Sequence, residues 1–129
     1  MAMTNDIKNI MLDAGFGTGA SSGTYMSLHS GDPTVTVATA LANEIGGGTP
    51  AYARIQLNLA AATVGSKALA ANAVFDIQAG DAFSYYALWS VVSGGIQAQF
   101  KGGALLSAAE GAYGSQGTYT ITSLTISLT

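Results

Sequence analysis

The chain has 129 residues, a length that suits one domain with a modest hydrophobic core. Charged residues make up only 9% of it and the net charge is −3, whereas ordinary soluble domains carry about 25% charged residues. Four scattered basic residues offer no phosphate-binding surface, so we expect no nucleic-acid partner. No apolar run reaches the ~18 residues of a spanning helix, so we expect no membrane partner. The absence of cysteine excludes disulfide scaffolds and thiolate metal sites.

The low charge is informative, because a free monomer usually keeps more surface charge to repel its neighbours. Two interpretations fit: a robust extracellular-type β domain, or a subunit whose flanks are covered by other subunits. We favour the second, since the cores of protein interfaces are depleted of charged side chains. We therefore expect a homo-oligomer, either a trimer or a set of copies organised by a larger assembly.

Residues 4–14 show the one convincing helical pattern. Thr4 is a suitable N-cap and Asp6 falls in the first turn. Gly15 is well placed to end the helix, and residues 15–23 then form a flexible loop. Apolar residues recur at helical spacing, at Ile7, Ile10, Met11 and Ala14. The helix either covers part of its own core or acts as an arm that docks on a neighbouring subunit, with assembly contacts at Ile7, Ile10 and Met11.

From Thr24 onward the pattern predicts β structure. Residues 82–92 are apolar on both faces, which predicts a strand that is central in its sheet or covered on both sides. One helical turn is expected at residues 40–43, residues 60–72 are ambiguous between loop and helix, and the alternation slips at residues 122–123, which predicts a β-bulge. The remaining strands are predicted by alternation or by apolar runs at residues 25–29, 34–39, 52–59, 74–77, 96–101 and 119–128.

Six to eight short strands, few helices and no long linker predict an all-β protein. We expect a single domain over residues 1–129, in which residues 24–129 form one antiparallel β-sandwich or barrel. Residues 1–23 would then supply a short N-terminal helix and a flexible arm.

The residue types that carry chemistry are few. His29 is the only histidine, so no histidine cluster can form a zinc site. A Ser–His–Asp hydrolase site could be assembled only across the fold, the carboxylates are dispersed, and no calcium-loop spacing is present. We therefore expect no catalytic site, no metal and no cofactor. The aromatic residues would either pack in the core or line a sugar-binding groove, as in a carbohydrate-binding host-attachment domain.

Three segments carry a more specific signal: YMSLHSGDP at residues 25–33, ANEIGG at residues 42–47, and AYAR at residues 51–54. Their order resembles a family of small virion proteins of tailed bacteriophages, in which a strand ending in Leu-His-x-x-Asp-Pro precedes an Asn-Glu-hydrophobic-Gly-Gly loop and then Tyr-Ala-Arg. The later Leu88-Trp89 pair, a Gly-Gly hairpin and a β-rich C-terminus fit as well. A Thr/Val-rich insertion at residues 34–41 and residues 48–50 depart from the pattern.

The resemblance implies a non-enzymatic structural protein of the virion, assembled in the host cytoplasm. Members of the family are described as minor tail, fibre-like or capsid-associated proteins. We expect a capsid decoration or accessory subunit whose partners are other copies of itself and phage capsid proteins, with a minor tail or fibre-associated subunit as the alternative. Residues 1–23 or the loop at residues 34–50 would carry the attachment.

The same segments suggest a structural site. Glu44 precedes the only arginine, Arg54, by ten residues, and the planar guanidinium suits a bidentate carboxylate. We hypothesise that His29, Asp32, Glu44 and Arg54 form a polar cluster that holds the loop on the β domain. The alternative is that each is solvated separately. The full candidate set follows the motif and comprises His29, Asp32, Pro33, Asn43, Glu44, Tyr52 and Arg54.

Overall fold

The structure is a computed structural model that describes residues 1–128. Within these residues the chain forms two α-helices, one short 3₁₀ helix at Gln97–Gln99 and eight strands. The helices are α1 (Asn5–Phe16) and α2 (Val37–Asn43). The strands are β1 (Tyr25–His29), β2 (Ile55–Gln56), β3 (Ser66–Ala68), β4 (Ala73–Ile77), β5 (Phe83–Trp89), β6 (Phe100–Glu110), β7 (Gly117–Ile121) and β8 (Thr125–Ser127).

These elements confirm the predicted all-β class with antiparallel sheets and a short N-terminal helix. The strands belong to one four-stranded sheet, in the order β2-β1-β5-β6, and to two two-stranded sheets, β3-β8 and β4-β7. The chain divides into two compact units. Unit 1 contains residues 1–24, 56–73 and those from 120 onward, and unit 2 contains residues 25–55 and 74–119.

In unit 1, α1 begins where the sequence predicts, because the Thr4 hydroxyl accepts a hydrogen bond from the Ile7 amide at 3.3 Å. Its end differs from the prediction. The helix passes through Gly15 and stops at Gly17, whose φ of 70° is a left-handed conformation that glycine adopts without strain. A Cβ at Gly17 would also collide with the backbone of Ser22.

The side of α1 that meets the rest of unit 1 is partly polar. Leu12 is fully buried, the Asn9 side-chain oxygen accepts from the Gly65 amide at 2.9 Å, and Asp13 accepts from the Ala62 amide at 2.9 Å. The apolar residues of the predicted pattern lie elsewhere on the helix and remain about half exposed, at Ile7, Ile10 and Met11. Antiparallel β3 and β8 complete the unit, with Lys67 opposite Ile126.

In unit 2, β5 lies between β1 and β6 and pairs antiparallel with both. This inner position confirms the prediction from its two apolar faces. Trp89 and Ala87 of β5 are completely buried and pack with Ala40 of α2. The four-stranded sheet therefore supplies a rigid support for the segment between β1 and β2, which carries most of the motif residues.

Two other predictions were only partly right, because the strand expected at residues 52–59 is limited to β2, and residues 60–72, which were left open between loop and helix, contain β3. Three predictions were wrong. Residues 34–39 alternate, yet Thr36 is the N-cap of α2, accepting from the Thr39 amide at 3.0 Å, because a short Ala-rich run after a hydroxyl residue favours helix. Residues 96–101 contain a 3₁₀ helix, and the strand begins only at Phe100. The slip at residues 122–123 is a break between β7 and β8, which belong to different sheets, and no bulge joins them.

Candidate functional site

The candidate site lies in unit 2, where the chain leaves β1, forms α2 and returns to β2. Two side chains shape the first turn: the Asp32 carboxylate accepts from the amide and the hydroxyl of Thr34, at 2.8 and 2.6 Å. Such an Asx-type turn is typical of Asp followed by Pro. The turn leads into the N-cap of α2. The C-terminal end of α2 then places Asn43 and Glu44 beside the end of β1, where His29 forms a β-bridge with Glu44.

Glu44 and Arg54 form a bidentate ion pair. Arg54 Nε lies 2.9 Å from Oε1 of Glu44, and Nη2 lies 2.7 Å from Oε2. The Arg54 side chain is 1% exposed and that of Glu44 is 16% exposed. Arg54 also donates from Nη1 to the carbonyl of Val91 at 3.2 Å. A bidentate pair with so little solvent contact fixes the direction of both side chains.

Tyr52 connects the Glu44–Arg54 pair to β1 of the four-stranded sheet. Its hydroxyl donates to Oε1 of Glu44 at 3.1 Å and accepts from the amide of Leu28 at 3.0 Å. The ring stacks on Phe75 with 6.3 Å between centroids and an interplanar angle of 14°. Burial, together with the Glu44 charge, raises the pKa of Tyr52 far above its ordinary value, so this hydroxyl stays protonated and serves as a donor.

A second chain of hydrogen bonds runs through the interior from Trp89 to Asn43. Trp89 Nε1 donates to Ser27 Oγ at 2.8 Å, Ser27 Oγ lies 2.6 Å from His29 Nε2, and His29 Nδ1 lies 2.7 Å from Asn43 Oδ1. Since indole can only donate and a carbonyl can only accept, Ser27 donates to Nε2 and the proton of neutral His29 sits on Nδ1. Burial lowers the pKa of His29, so the imidazole is neutral at pH 7.

Asp32 stands apart from these groups. Its carboxylate bonds only to Thr34, and those hydrogen bonds lower its pKa. Its backbone carbonyl, however, accepts from Asn43 Nδ2 at 3.3 Å, which ties the turn to the histidine chain. Pro33 follows in the turn, close enough to β6 that a Cβ at Gly103 would approach its ring at 3.0 Å.

The structure therefore brings together five of the seven motif residues, His29, Asn43, Glu44, Tyr52 and Arg54, and links Asp32 to them through its backbone. We call these five residues with Ser27 and Trp89 the motif network. Sequence reasoning missed Ser27 and Trp89 as members. Trp89 was seen as a core residue of its strand, but no pattern in the sequence shows that its ring lies beside the only arginine.

An open pocket of about 420 Å³ adjoins the ion pair. Its walls come from Glu44, Ile45, residues 52–54 and the loop at residues 92–94. Of the four polar residues that line it, Glu44, Tyr52 and Arg54 bond to one another, and Ser93 is the fourth. These hydrogen bonds hold Glu44, Tyr52 and Arg54 in fixed positions along one wall of the pocket.

A second ion pair, in unit 1, was not foreseen, and its cation is buried. Lys67 is 1% exposed, and its ammonium donates to Asp13 Oδ1 at 2.6 Å, to Ala60 O at 2.8 Å and to Thr18 Oγ1 at 2.9 Å. These three acceptors match the three protons of the ammonium. The hydrogen bond from Lys67 and those from Ala62 and Thr18 lower the pKa of Asp13. Asp13 precedes Lys67 by 54 positions, and no motif connects them.

Among residues 1–128, no three His, Asp or Glu side chains converge as a metal site would require. Neither helix in that range has the length and apolar character needed to cross a bilayer. No protein-family model, curated protein or solved structure matches this chain. The family resemblance of the motif therefore stays a prediction.

Proposed function

We propose that this chain is a non-enzymatic structural protein of a tailed-phage virion, acting as a decoration or accessory subunit on the capsid. The observation that carries the proposal is the motif network. The residues that carry the resemblance to the virion family, from His29 to Arg54, bond to one another and to Ser27 and Trp89. Polar groups that bond to one another in this way hold the loop rigidly, which is what a binding subunit requires.

The distribution of charge supports a subunit covered by neighbours. Of the eleven charged residues, four are engaged in the pairs Glu44–Arg54 and Asp13–Lys67. Only seven charged residues lie outside these two pairs. Surfaces that meet other proteins are poor in charge at their centres, whereas surfaces of free monomers are not.

Exposed apolar side chains lie in both segments expected to carry the attachment. In α1, Ile7, Ile10 and Met11 are 48%, 64% and 48% exposed. In the segment between β1 and β2, Val35 is 68% exposed, and Leu41, on α2, is 39% exposed. Apolar residues on a protein with few charges are the side chains through which a shell protein would hold the subunit.

The carbohydrate-binding alternative loses its strongest candidate residue. Trp89 is completely buried between Phe100, at 4.9 Å between ring centroids, and Arg54. It therefore presents no face on which a sugar ring could stack. The minor-tail alternative is kept, because the same structural motif would serve a subunit of the tail.

The decisive measurement is the number of copies in purified particles of the phage that encodes the chain. Quantitative mass spectrometry against the major capsid protein is expected to give hundreds of copies per particle for a decoration subunit. A handful of copies would place the chain in the tail. Particles that contain none, from cells in which the protein is expressed, would contradict the proposal as a whole.

A further inference from the structure

Several groups of the motif network meet at the hydroxyl of Ser27. Ser27 Oγ accepts from Trp89 Nε1 at 2.8 Å and lies 2.6 Å from His29 Nε2. The Ala87 carbonyl oxygen lies 3.5 Å from the same Oγ, and the pairing of β1 with β5 sets Ser27 opposite Ala87. All four residues are 0% exposed, so bulk water does not reach this hydroxyl. Its proton therefore has two acceptors within the protein, His29 Nε2 and the Ala87 carbonyl.

The other ring nitrogen of His29 is a hydrogen-bond donor in either charge state of the ring. His29 Nδ1 lies 2.7 Å from Asn43 Oδ1, and Nδ2 of the same amide donates to the Asp32 carbonyl at 3.3 Å. The bond to Asp32 fixes the amide with its oxygen toward the histidine, so Nδ1 must carry a proton. An additional proton can therefore be bound only at Nε2, the nitrogen that faces Ser27.

A proton on Nε2 changes what this nitrogen requires of Ser27, because Nε2 turns from an acceptor into a donor. If the Ser27 hydroxyl turns toward the Ala87 carbonyl, its oxygen can accept from both Trp89 Nε1 and the charged ring. The chain of hydrogen bonds from Trp89 to Asn43 is then complete in both charge states with the heavy atoms where they are. The bond from the charged ring to Oγ is charge-assisted, so it is stronger than the neutral bond that it replaces.

The surroundings of His29 contain influences of both signs on its pKa. Burial is the largest of them and lowers the pKa. Hydrogen bonding to acceptors on α2 and the charge of Glu44 raise the pKa, whereas the charge of Arg54 lowers it. Two tyrosines adjoin the site, Tyr85 opposite His29 on β5 and Tyr52 at the neighbouring amide of β1, and phenols are uncharged in mild acid. The ring of the folded protein is therefore neutral at pH 7 and has one carboxylate that favours its charged form.

We propose that the Ser27 hydroxyl is a two-position switch that lets the folded protein take up a proton at Nε2 of His29. At neutral pH the hydroxyl donates to Nε2. In mild acid it donates to the Ala87 carbonyl and accepts from the charged ring. The segment between β1 and β2 stays bonded to His29 through Asn43 in both states. The inference depends on these hydrogen bonds alone and stands whether or not the chain belongs to a virion.

Nitrogen-15 NMR of the full-length wild-type chain tests the proposal without any substitution. As the pH is lowered from about 7.5 to about 4.5, His29 Nε2 is expected to gain a proton while Nδ1 keeps its own. The Trp89 indole N–H should keep its folded-state resonance throughout, because it stays bonded to Ser27. A ring that stays neutral until the folded spectrum disappears would show that only unfolded molecules bind the proton, and the proposal would be wrong. Loss of the Trp89 resonance as the ring becomes charged would also contradict it.

The direction of the pKa change in Ser27→Ala gives an independent test. If the hydroxyl turns, the substitution removes a charge-assisted acceptor, so the pKa of His29 should fall by about 1, a tenfold loss of proton affinity. If the hydroxyl stays directed at Nε2, it opposes the proton and its removal raises the pKa. A raised or unchanged pKa in the folded variant therefore overturns the proposal. Ser30→Ala, which removes a hydroxyl bonded to the Asn43 carbonyl, is the matched control and should leave the pKa nearly unchanged. Circular dichroism checks that both variants are folded, and the wild-type titration decides alone if Ser27→Ala is not.

Discussion

The guanidinium carbon of Arg54 lies 4.2 Å from the centroid of the Trp89 ring, so the only arginine and the only tryptophan of the chain are in contact. The same guanidinium holds both oxygens of Glu44. Arg54 thus couples the loop after α2 to the centre of the main sheet. A cation stacked on indole in a desolvated site adds to the stability that the ion pair provides.

Breaking this ion pair from either side should destabilise the protein strongly. Arg54→Met and Glu44→Gln each leave a partner with little solvent contact, and each is expected to lower the free energy of unfolding by about 3 kcal/mol. Because the two groups act on each other, the double variant should cost less than the sum of the single variants by more than about 1 kcal/mol. Urea unfolding of the four proteins measures this coupling. Additive effects would mean that the two residues act separately, and Asp32→Asn, whose carboxylate lies outside the network, is the control with a smaller effect.

Ser27 is the smallest member of the motif network, and its hydroxyl bonds to Trp89 and His29 and, at 3.5 Å, to the Ala87 carbonyl. Ser27→Ala leaves the Trp89 N–H and the His29 Nε2 without partners in a buried site, so we expect a loss of about 2–3 kcal/mol in the free energy of unfolding. The matched control is Ser30→Ala, whose exposed hydroxyl bonds only to the Asn43 carbonyl. Similar losses for the two variants would contradict the bonding order that we assign to Ser27.

His29 should make the protein less stable in mild acid. Its pKa in the folded state is lowered from 6.5 by burial, so the unfolded chain binds a proton at a higher pH than the folded chain does. Both states are neutral above about pH 6.5, and the full stability is present there. As the pH falls from 6.5 through the folded-state pKa, stability is lost with a slope of up to about 1.4 kcal/mol per pH unit.

Urea unfolding between about pH 7.5 and pH 5 measures this slope. The chain has no other histidine that would contribute to the pH dependence in this range. Two other charged groups act on His29: Glu44 raises its pKa and Arg54 lowers it. In His29→Gln the slope over this range should disappear. A slope that persists in the variant would assign the acid sensitivity to carboxylates. In NMR spectra of the wild type, neutral His29 should show the proton on Nδ1.

Lys67 should be essential to the local stability of unit 1. Lys67→Met keeps most of the side-chain volume but removes three hydrogen bonds to Asp13, Thr18 and Ala60. We expect amide exchange in β3, and at Ala62, to accelerate by at least about tenfold, because local opening becomes easier. Lys8→Met, at a partly exposed position on α1, is the control and should leave these rates nearly unchanged. Equal exchange rates in the two variants would mean that the buried ammonium contributes little to holding unit 1.

The α1 surface allows a test of attachment that does not disturb the fold. Removing residues 1–14 would also remove Leu12, which is buried, and Asp13, whose carboxylate bonds to the Ala62 amide and to Lys67 in unit 1. Ile10→Asp alters only a residue that is 64% exposed, and we expect the melting temperature to stay nearly constant while binding to phage particles weakens by about tenfold or more. The control is Val74→Asp, on β4. Normal binding by Ile10→Asp, together with normal binding after equivalent changes at Val35 and Leu41, would mean that the contact surface lies elsewhere on the protein.

Sequence reasoning worked where a single local rule decides the outcome. The start of α1 follows from the hydroxyl of Thr4, and the inner position of β5 follows from its two apolar faces. The Glu44–Arg54 contact was suggested by the scarcity of its residue types and by a short loop. These features depend on nearby residues or on residues with few alternative partners.

The same reasoning failed where distant segments compete. The Thr/Val alternation at residues 34–39 is a valid strand pattern, but the cap at Thr36 and the place of Ala40 against Trp89 select a helix. The Asp13–Lys67 pair depends on a contact between α1 and β3, which only the folded unit creates. The sequence of the interior of β6 also does not predict a strand, because Gly, Ala and Ser have weak β propensity. This strand depends on its pairing with β5.

The division into two units has a spectroscopic consequence. All six tyrosines and the tryptophan fall within unit 2, at positions 25, 52, 85, 86, 89, 113 and 119. Unit 1 has only Phe16 as an aromatic residue. Intrinsic fluorescence and near-ultraviolet absorbance therefore follow the environment of unit 2, and a tyrosine or tryptophan melting curve contains no chromophore of unit 1. A phenylalanine-to-tryptophan exchange at position 16 would give unit 1 an emission signal of its own.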